Sequence, residues 1–267
     1  MSTVSVIIPT WNRANTLKRA VLSVLNQTYP ITEILVCDDG STDDSKQVID
    51  ELKSEKIKWL EGKRAGMPSV PRNRGITASK GEWLAFLDSD DEWLPSKIEK
   101  QVELAAKLNT DAVCSNAYRV VPEGGNPTSY LNYSGEKISF EQLIKSNYII
   151  CSSAMFNRNL LEIVKGFPES PDFKAIEDYA LWLRVATQTD FAYVQEPLVN
   201  YFDDPKQSIR DNKVTEEMQR KIILSDLMNW LEINPNKNPK HYKNLVKAEG
   251  KKAKGTSKNK IFSLFRK

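Results

Sequence analysis

Apolar runs that suit strands alternate with amphipathic runs that suit helices over the first part of the chain. Residues 4–8 are mostly β-branched, which predicts a buried strand, and residues 15–26 place their apolar side chains at helical spacing. The alternation continues with strand-like runs at 33–38, 57–60, 83–87 and 111–115 and helix-like runs at about 43–52, 71–79 and 95–108. This order predicts an α/β fold, with a mostly parallel central sheet covered by helices on both faces.

The regular alternation ends after Ser115. A stretch rich in Pro and Gly at 122–127 separates two β-like runs, which predicts a hairpin or a loop. Later elements are predicted as a short helix at 140–145, a strand at 153–156, a helix at 176–187, a strand at 191–194 and a helix at 214–233. We expect four apolar residues of the last helix to face inward: Met218, Ile222, Leu224 and Leu227. From Asn234 onward the sequence has low complexity.

The composition is that of a globular protein and excludes several classes. Of the 267 residues, 40% are hydrophobic and 27% are charged, and no run approaches the roughly 18 apolar residues of a membrane-spanning helix. Cys37, Cys114 and Cys151 are too few and too scattered for a disulfide framework or a zinc site. Without a recognisable export signal, we expect reduced cysteines and a cytoplasmic protein. The single histidine, His241, excludes mechanisms that need two.

The charge is unevenly distributed along the chain. The formal net charge is +3, but residues 237–267 contain eleven Lys and Arg and one acid, so this tail carries +10 and the rest −7. A basic tail on an acidic body favours attachment to an anionic surface. Four apolar residues near the end would add area that inserts at a membrane interface: Ile261, Phe262, Leu264 and Phe265. We expect peripheral binding to the inner membrane face; the alternative is a disordered, solubilising tail, and nothing in the body indicates nucleic-acid binding.

Three carboxylates follow the apolar run at 83–87, namely Asp88, Asp90 and Asp91. Such close negative charges repel one another unless a cation neutralises them. Alternate residues of an extended segment point the same way, so Asp88 and Asp90 can face one ligand. Carboxylate oxygens suit Mg²⁺ or Mn²⁺, which also take oxygens from substrate phosphates. The alternative is a solvated acidic turn that caps the next helix.

A second acidic pair, Asp38 and Asp39, ends the strand-like run at 33–38. A turn with a helix cap explains part of this segment. Ligands of parallel sheets nevertheless bind at the carboxyl ends of the strands, so we expect one of the two acids to reach a cleft there. Neither the G-x-G-x-x-G pattern of dinucleotide-binding folds nor a Walker A pattern occurs in the sequence.

Four segments, in this order, resemble the family 2 glycosyltransferases: VSVIIPTWNR at 4–13, ILVCDDGSTD at 34–43, RNRGI at 72–76 and GEWLAFLDSDD at 81–91. The resemblance covers roughly residues 3–205. It implies the GT-A fold, a Rossmann-like α/β domain, and inversion of the anomeric centre. The implied organisation is a catalytic domain at 1–205, with a nucleotide-sugar-binding half at 1–117 and an acceptor-binding half at 118–205, then a C-terminal helix at 206–236 and the basic tail at 237–267.

The resemblance also implies roles for single residues. Thr10 and Trp11 match the positions that bind the nucleotide base, where an aromatic face stacks on uracil, and Asp39 matches the acid that hydrogen-bonds the base. Asp88 matches the acid near the ribose, and Asp90 matches the direct ligand of a Mn²⁺ or Mg²⁺ ion. Three further residues are expected near the nucleotide, where arginine suits a phosphate: Arg13, Arg72 and Asn73.

Glu177 and Asp178 open the helix predicted at 176–187 and resemble the E-D motif of the family. The aspartate of that motif deprotonates the acceptor, which makes Asp178 the expected general base. The structural alternative is that both acids simply favour a helix N-terminus. Since the helix dipole lowers the pKa of an acid there, burial or nearby substrate must raise it for catalysis.

One position departs from the family pattern. Many members carry a histidine shortly after a tyrosine, whereas this chain has Asp203 and Asp204 after Tyr201. Asp204 is a candidate for an alternative oxygen ligand, against a plain loop acid. Ser208 and Arg210 are candidates to contact the diphosphate.

We therefore expect a metal-dependent, inverting glycosyltransferase that moves a sugar from a nucleotide-diphospho-sugar, most simply a UDP-sugar, to a hydroxyl of a glycan or lipid-linked acceptor in cell-surface polysaccharide synthesis. Two other classes stay open. A sugar-1-phosphate nucleotidyltransferase normally needs an early glycine-rich loop, and residues 9–13 contain no glycine. Loss of the motif acids would favour the other class, a non-catalytic protein that binds nucleotide-sugars. All of these acids are present.

Overall fold

A single sheet with helices on both faces organises the chain. The computed structural model describes residues 1–121, 124, 126–204, 215–234 and 239–255. Their strands are β1 Val4–Thr10, β2 Glu33–Asp38, β3 Ile57–Leu60, β4 Trp83–Phe86, β5 Glu92–Trp93, β6 Ala112–Val120, β7 Thr128–Ser129, β8 Lys137–Ile138, β9 Met155–Asn157 and β10 Phe191–Phe202. Their helices are α1 Ala14–Leu25, α2 Ser45–Asp50, α3 Ser69–Ala78, α4 Lys97–Leu108, α5 Phe140–Leu143, α6 Arg158–Val164, α7 Glu177–Ala186, α8 Glu216–Ile233 and α9 Pro239–Gly255.

The strand order brings several strand ends to one edge. Along the main path the order is β3-β2-β1-β4-β9-β6-β10-β5. The first four of these strands are parallel, as predicted, and β6 and β10 are parallel to each other. The short strand β9 lies antiparallel between β4 and β6, so β6 and β10 run in the same direction as β4. The carboxyl ends of β1, β2, β4, β6 and β10 therefore share one edge.

Side chains of the central strands alternate between two apolar clusters, as expected for a sheet covered on both faces. Ile7 of β1 belongs to one cluster together with Trp182 of α7, and both are fully buried. Its neighbours Val6 and Ile8 belong to the other cluster, with Leu17 of α1. Strands buried on both faces need nearly continuous apolar sequence, which is why these runs could be recognised.

Several predicted boundaries are wrong, mostly in the second half. Strands β6 and β10 run to Val120 and Phe202, beyond the predicted ends, because they pair with each other over most of their lengths. The predicted hairpin exists, with β7 antiparallel to β6. Helix α6 was not predicted. Met218 is 51% exposed rather than inward, whereas Leu224 and Leu227 are buried as expected.

The last two described helices pack on the sheet domain. Trp230 of α8 and Val246 of α9 are buried in the same cluster as Trp182. Arg184 of α7 makes a two-pronged ion pair with Asp226 of α8, with N–O distances of 2.7 to 3.1 Å. Residues 239–255 form a helix within the predicted basic tail. Residues 256–267, which include the apolar end of that tail, lie outside the described residues. None of the described helices is long and apolar enough to cross a membrane.

Candidate active site

A cavity of about 670 Å³ opens at the shared edge of the strands. Residues that follow β1, β2 and β4 form one side, and the ends of β6 and β10 with the start of α7 form the other. Eight of the nine predicted site residues line it: Thr10, Trp11, Arg13, Asp39, Arg72, Asp88, Asp90 and Asp178. The fold thus brings together residues from five separate segments of the sequence.

Of the second acidic pair, Asp39 is the residue that reaches this cavity. Its carboxylate is nearly buried and accepts hydrogen bonds from the backbone N–H groups of Ala65 (2.8 Å) and Gly66 (3.0 Å), besides pairing with Arg64. The neighbouring Asp38 stays local, because its carboxylate accepts from the N–H groups at positions 40 and 41. One acid of the pair, Asp39, therefore reaches the cavity as expected. Its hydrogen bonds also hold the loop between β3 and α3 in place.

Trp11 presents an aromatic face to the cavity. Its side chain is 44% exposed, so Trp11 is not an ordinary core tryptophan. The guanidinium of Arg64 lies over the ring, with its carbon 3.7 Å from the ring centre. Thr10 is buried beside it, and its hydroxyl oxygen has no hydrogen-bond partner among the described residues. An aromatic plane, a carboxylate and an orphaned hydroxyl thus converge at one end of the cavity.

Arg72 joins the two acidic segments of the site. One guanidinium nitrogen donates to the Asp88 carboxylate and another to the Glu177 carboxylate, both at 2.6 Å. The side chains of Arg72 and Glu177 are each only 4% exposed, so their ion pair is shielded from water, whereas Asp88 is partly exposed. Arg72 was predicted near the nucleotide; it lines the cavity, but both contacts hold carboxylates in place.

The three acids of the loop after β4 have different environments. Asp90 faces the cavity and lies 3.5 Å from a guanidinium nitrogen of Arg13, and burial and the charge of Asp88 raise its pKa. Asp91 is buried instead, and it accepts from the Ser152 hydroxyl (2.5 Å) and from the N–H of Phe202 (3.0 Å). Ser152 also accepts from the N–H of Asp88 (3.0 Å). The third acid therefore anchors the loop to the segment around Ser152 and to the end of β10.

Asp178 has the electrostatic properties of a general base. Burial, and after it the charge of Glu177, raises the pKa of its carboxyl to about 7, even though Arg72 opposes this shift. The two acids occupy the first turn of α7, where the dipole alone would lower a pKa, so burial dominates. Glu177 is held by Arg72, whereas Asp178 forms no ion pair within the part of the chain that the structure describes. Near neutral pH, Asp178 can therefore both accept and release a proton.

The structure does not bring every candidate into the cavity. The side-chain amide of Asn73 bonds Phe167 twice through its backbone and Glu169 once through its carboxylate, at 2.7 to 2.9 Å, and Asn73 does not line the cavity. These bonds tie Asn73 to the segment at 167–169, and its predicted place near the nucleotide stays a prediction. Asp203 and Asp204 do line the cavity, and Asp203 pairs with Arg119. Ser208 and Arg210 lie outside the described residues.

Sequence reasoning missed two residues of the site. Arg64 follows β3 in a loop with no recognised motif, and Ser152 lies in a segment without clear periodicity. Both act through contacts with residues at least 25 positions away, namely Asp39 for Arg64 and Asp91 for Ser152. The one local sequence signal for a special loop conformation here is Gly66. Its φ is +83°, and its N–H is one of the two backbone groups that bond Asp39.

The donor set at the acidic loop fits a hard divalent cation. Asp88 and Asp90 offer carboxylate oxygens. Burial and, after it, repulsion from Asp88 raise the pKa of Asp90, and a bound cation would offset that repulsion. No group of three or more His, Cys, Asp or Glu that could hold a metal exists among the described residues. A cation here would therefore depend on other ligands, such as phosphate oxygens and water. The three cysteines are free and buried, in keeping with a protein without a disulfide framework.

Comparison with known proteins identifies the family. The family model described as glycosyl transferase family 2 matches residues 5–164. The chain belongs to this family. Curated relatives of the family 2 chain include Escherichia coli WfgD, described as a UDP-Glc:alpha-D-GlcNAc-diphosphoundecaprenol beta-1,3-glucosyltransferase, which is 30% identical over 90% of this chain and 97% of its own length. Putative teichuronic acid biosynthesis glycosyltransferase TuaG of Bacillus subtilis is 28% identical over 79% of this chain and 82% of its own.

Solved structures agree on the fold. S. aureus TarS 1-349 in complex with UDP-GlcNAc superposes with a TM-score of 0.76 at 20% identity, covering 99% of this chain and 76% of that chain. TarS 1-349 in complex with UDP gives a TM-score of 0.73. The predicted α/β fold of the GT-A type is confirmed, and the family 2 protein is a glycosyltransferase.

Proposed function

We propose that this family 2 protein transfers a sugar from a UDP-sugar to a hydroxyl of a lipid-linked glycan, with inversion, in the synthesis of a surface polysaccharide. The observation that carries the proposal is the position of Asp178, with a pKa of about 7, in the same cavity as Asp39, Asp88 and Asp90. Support for the donor and acceptor classes comes from the activity given for WfgD and from the UDP-GlcNAc complex of TarS.

The donor half of the reaction uses the residues after β1, β2 and β4. We assign the base to the Trp11 face, with the Asp39 carboxylate as the acceptor for a base N–H and the orphaned Thr10 hydroxyl beside it. Asp88 is the acid near the ribose, oriented by its ion pair with Arg72. Arg13, which lines the cavity beside Asp90, suits a phosphate oxygen.

The acceptor half of the reaction uses the start of α7. Asp178 takes the proton of the acceptor hydroxyl. The oxygen then attacks the anomeric carbon on the face opposite the nucleoside diphosphate, the bond to the diphosphate breaks, and a single displacement inverts the configuration. The ion pairs Arg72–Asp88 and Arg72–Glu177 keep the helix start that carries the base and the donor-side acid in fixed relation.

Asp90 is the residue we assign to a Mn²⁺ or Mg²⁺ ion, with Asp204 as a second candidate at the same cavity. Such an ion would supply positive charge that stabilises the departing diphosphate. Asp203 lines the same cavity and pairs with Arg119.

An anionic membrane surface is the partner we propose for helix α9. Lys240, Lys243, Lys247 and Lys251 recur every three or four residues and therefore share one helix face. The opposite side packs on the protein, since Val246 is buried. Basic residues near an anionic leaflet contribute about 1 kcal/mol each. Replacing the four lysines by glutamine should abolish co-sedimentation with anionic vesicles, whereas the same change at exposed Lys56, Lys63, Lys80 and Lys137 should not.

The function is tested by incubating the full chain with individual UDP-sugars, a divalent cation and GlcNAc-diphosphate-lipid acceptors. We expect one UDP-sugar to be consumed, an acceptor product larger by one sugar in mass spectrometry, and an inverted anomeric signal in NMR. Release of pyrophosphate would instead indicate a nucleotidyltransferase. A retained configuration, or no turnover with any donor, would contradict the proposal.

A further inference from the structure

Arg64 lies where the Trp11 ring and the Asp39 carboxylate meet. Its guanidinium stacks on the ring at 3.7 Å and also pairs with the Asp39 carboxylate. The same guanidinium makes both contacts, so it lies on the face of the ring that Asp39 adjoins. The Arg64 side chain is 41% exposed and the Asp39 side chain is 4% exposed, so the arginine covers the carboxylate from the cavity side.

The two contacts of Arg64 are those that a nucleotide base would make. A guanidinium is a flat group that stacks on aromatic rings and donates N–H bonds to carboxylates. A base with a ring N–H stacks on the same kind of surface and donates to the same kind of acceptor. A base bound to both Trp11 and Asp39 must therefore occupy the volume that the guanidinium now fills.

The loop that carries Arg64 can stay in place while its side chain moves. The backbone N–H groups of Ala65 and Gly66 bond Asp39 independently of the guanidinium. The backbone of Arg64 also packs closely on Gly40, where a Cβ atom would come within 2.9 Å of its nitrogen. Gly40 has a φ of +79°, so a side chain there is disfavoured in any case. Rotation of one long, half-exposed side chain is sufficient to open the subsite.

We propose that Arg64 is a built-in competitor of the donor base, which occupies the Trp11–Asp39 subsite and sets donor affinity by having to be displaced. The inference rests on the proposed function, because it takes Trp11 and Asp39 as the base subsite. Arg64 is therefore an affinity-determining residue, and its removal should strengthen donor binding although it removes a positive charge from a site for an anion.

The test is calorimetric titration of the full chain with UDP in the presence of Mn²⁺. Arg64→Ala is compared with wild type and with Lys63→Ala, which removes the same charge from an exposed neighbour in the same loop. We expect Arg64→Ala to bind UDP about threefold to tenfold more tightly than Lys63→Ala, the size of one exposed cation–π contact plus a partly exposed ion pair. Arg64→Lys keeps the charge but loses the planar stack, and should fall between wild type and Arg64→Ala.

The possible outcomes separate the two proposals. If wild type binds UDP and Arg64→Ala binds it equally or more weakly than Lys63→Ala, Arg64 is a donor ligand or a bystander, and the competitor role is rejected. If wild type binds no UDP while the chain is folded by circular dichroism, the proposed UDP-sugar donor itself fails. Because Arg64 is half exposed, its replacement should not unfold the protein.

Discussion

The two sides of the cavity that we assign to the donor and to the acceptor are built in different ways. On the donor side, the key residues directly follow β1, β2 and β4, and the aromatic ring and acids come from short motifs. On the acceptor side, β9 is antiparallel, β10 pairs with β6 through register shifts, and α7 is packed by α8. The donor side is thus encoded locally, whereas the acceptor side depends on packing between distant segments. Arg72 and Ser152 are the contacts that bind the two sides together.

The largest expected effect is at the donor-side acid that faces the cavity. Asp90→Asn keeps the shape of the side chain but removes the charge assigned to the cation. We expect turnover to fall about a thousandfold, in line with the several kcal/mol that metal ions supply to transition states, together with weaker UDP binding in Mn²⁺. Steady-state kinetics and titration measure both. Full activity of the variant in a metal chelator would contradict the assignment.

The next effect separates the two sides. Asp178→Asn should lower turnover about a hundredfold or more, because a general base contributes at least that much, while the affinity for UDP stays unchanged. The exposed Asp172→Asn, a few residues upstream, is the matched control and should be fully active. An inactive Glu177→Gln together with an active Asp178→Asn would show that the base is the neighbouring acid.

A smaller effect is expected at the aromatic face of the donor side. Trp11→Ala should weaken UDP binding about tenfold, since stacking of a base on an aromatic side chain contributes about 1–3 kcal/mol. Asn73→Ala is the control, because Asn73 bonds Phe167 and Glu169 outside the cavity; this change should lower thermal stability and leave UDP affinity intact. Equal losses of UDP affinity in both variants would contradict the distinction between Trp11, which lines the cavity, and Asn73, which does not.

The success of the sequence predictions also differs between the two sides of the cavity. Strands β1, β2, β4 and the start of β6 were recognised because burial on both faces requires continuous apolar runs, and the acids were recognised because they follow such runs. The contacts of Asn73 were not predicted, because its partners are 94 and 96 residues away and no local pattern indicates them. Helix α9 was read as part of a tail, because only a few of its side chains are buried and its lysines dominate the composition.

The pKa of Asp178 could not be predicted from the sequence either. The position at the start of a helix suggested a lowered value, whereas burial and Glu177 raise it. The buried Arg72 holds Glu177 at 2.6 Å, and this pairing is visible only in three dimensions. The acceptor side therefore acquires its chemistry from tertiary structure.

The most direct test of this account is the pH dependence of kcat/KM for the acceptor, measured for wild type and for Glu177→Gln. Asp178 must be deprotonated to act as a base, so activity should rise with pH and level off above a midpoint near pH 7. Removing the negative charge of Glu177 lowers the pKa of Asp178, so the rising limb should move to lower pH in the variant. A limb that stays in place or moves to higher pH would contradict the assignment of Asp178 as a base tuned by Glu177.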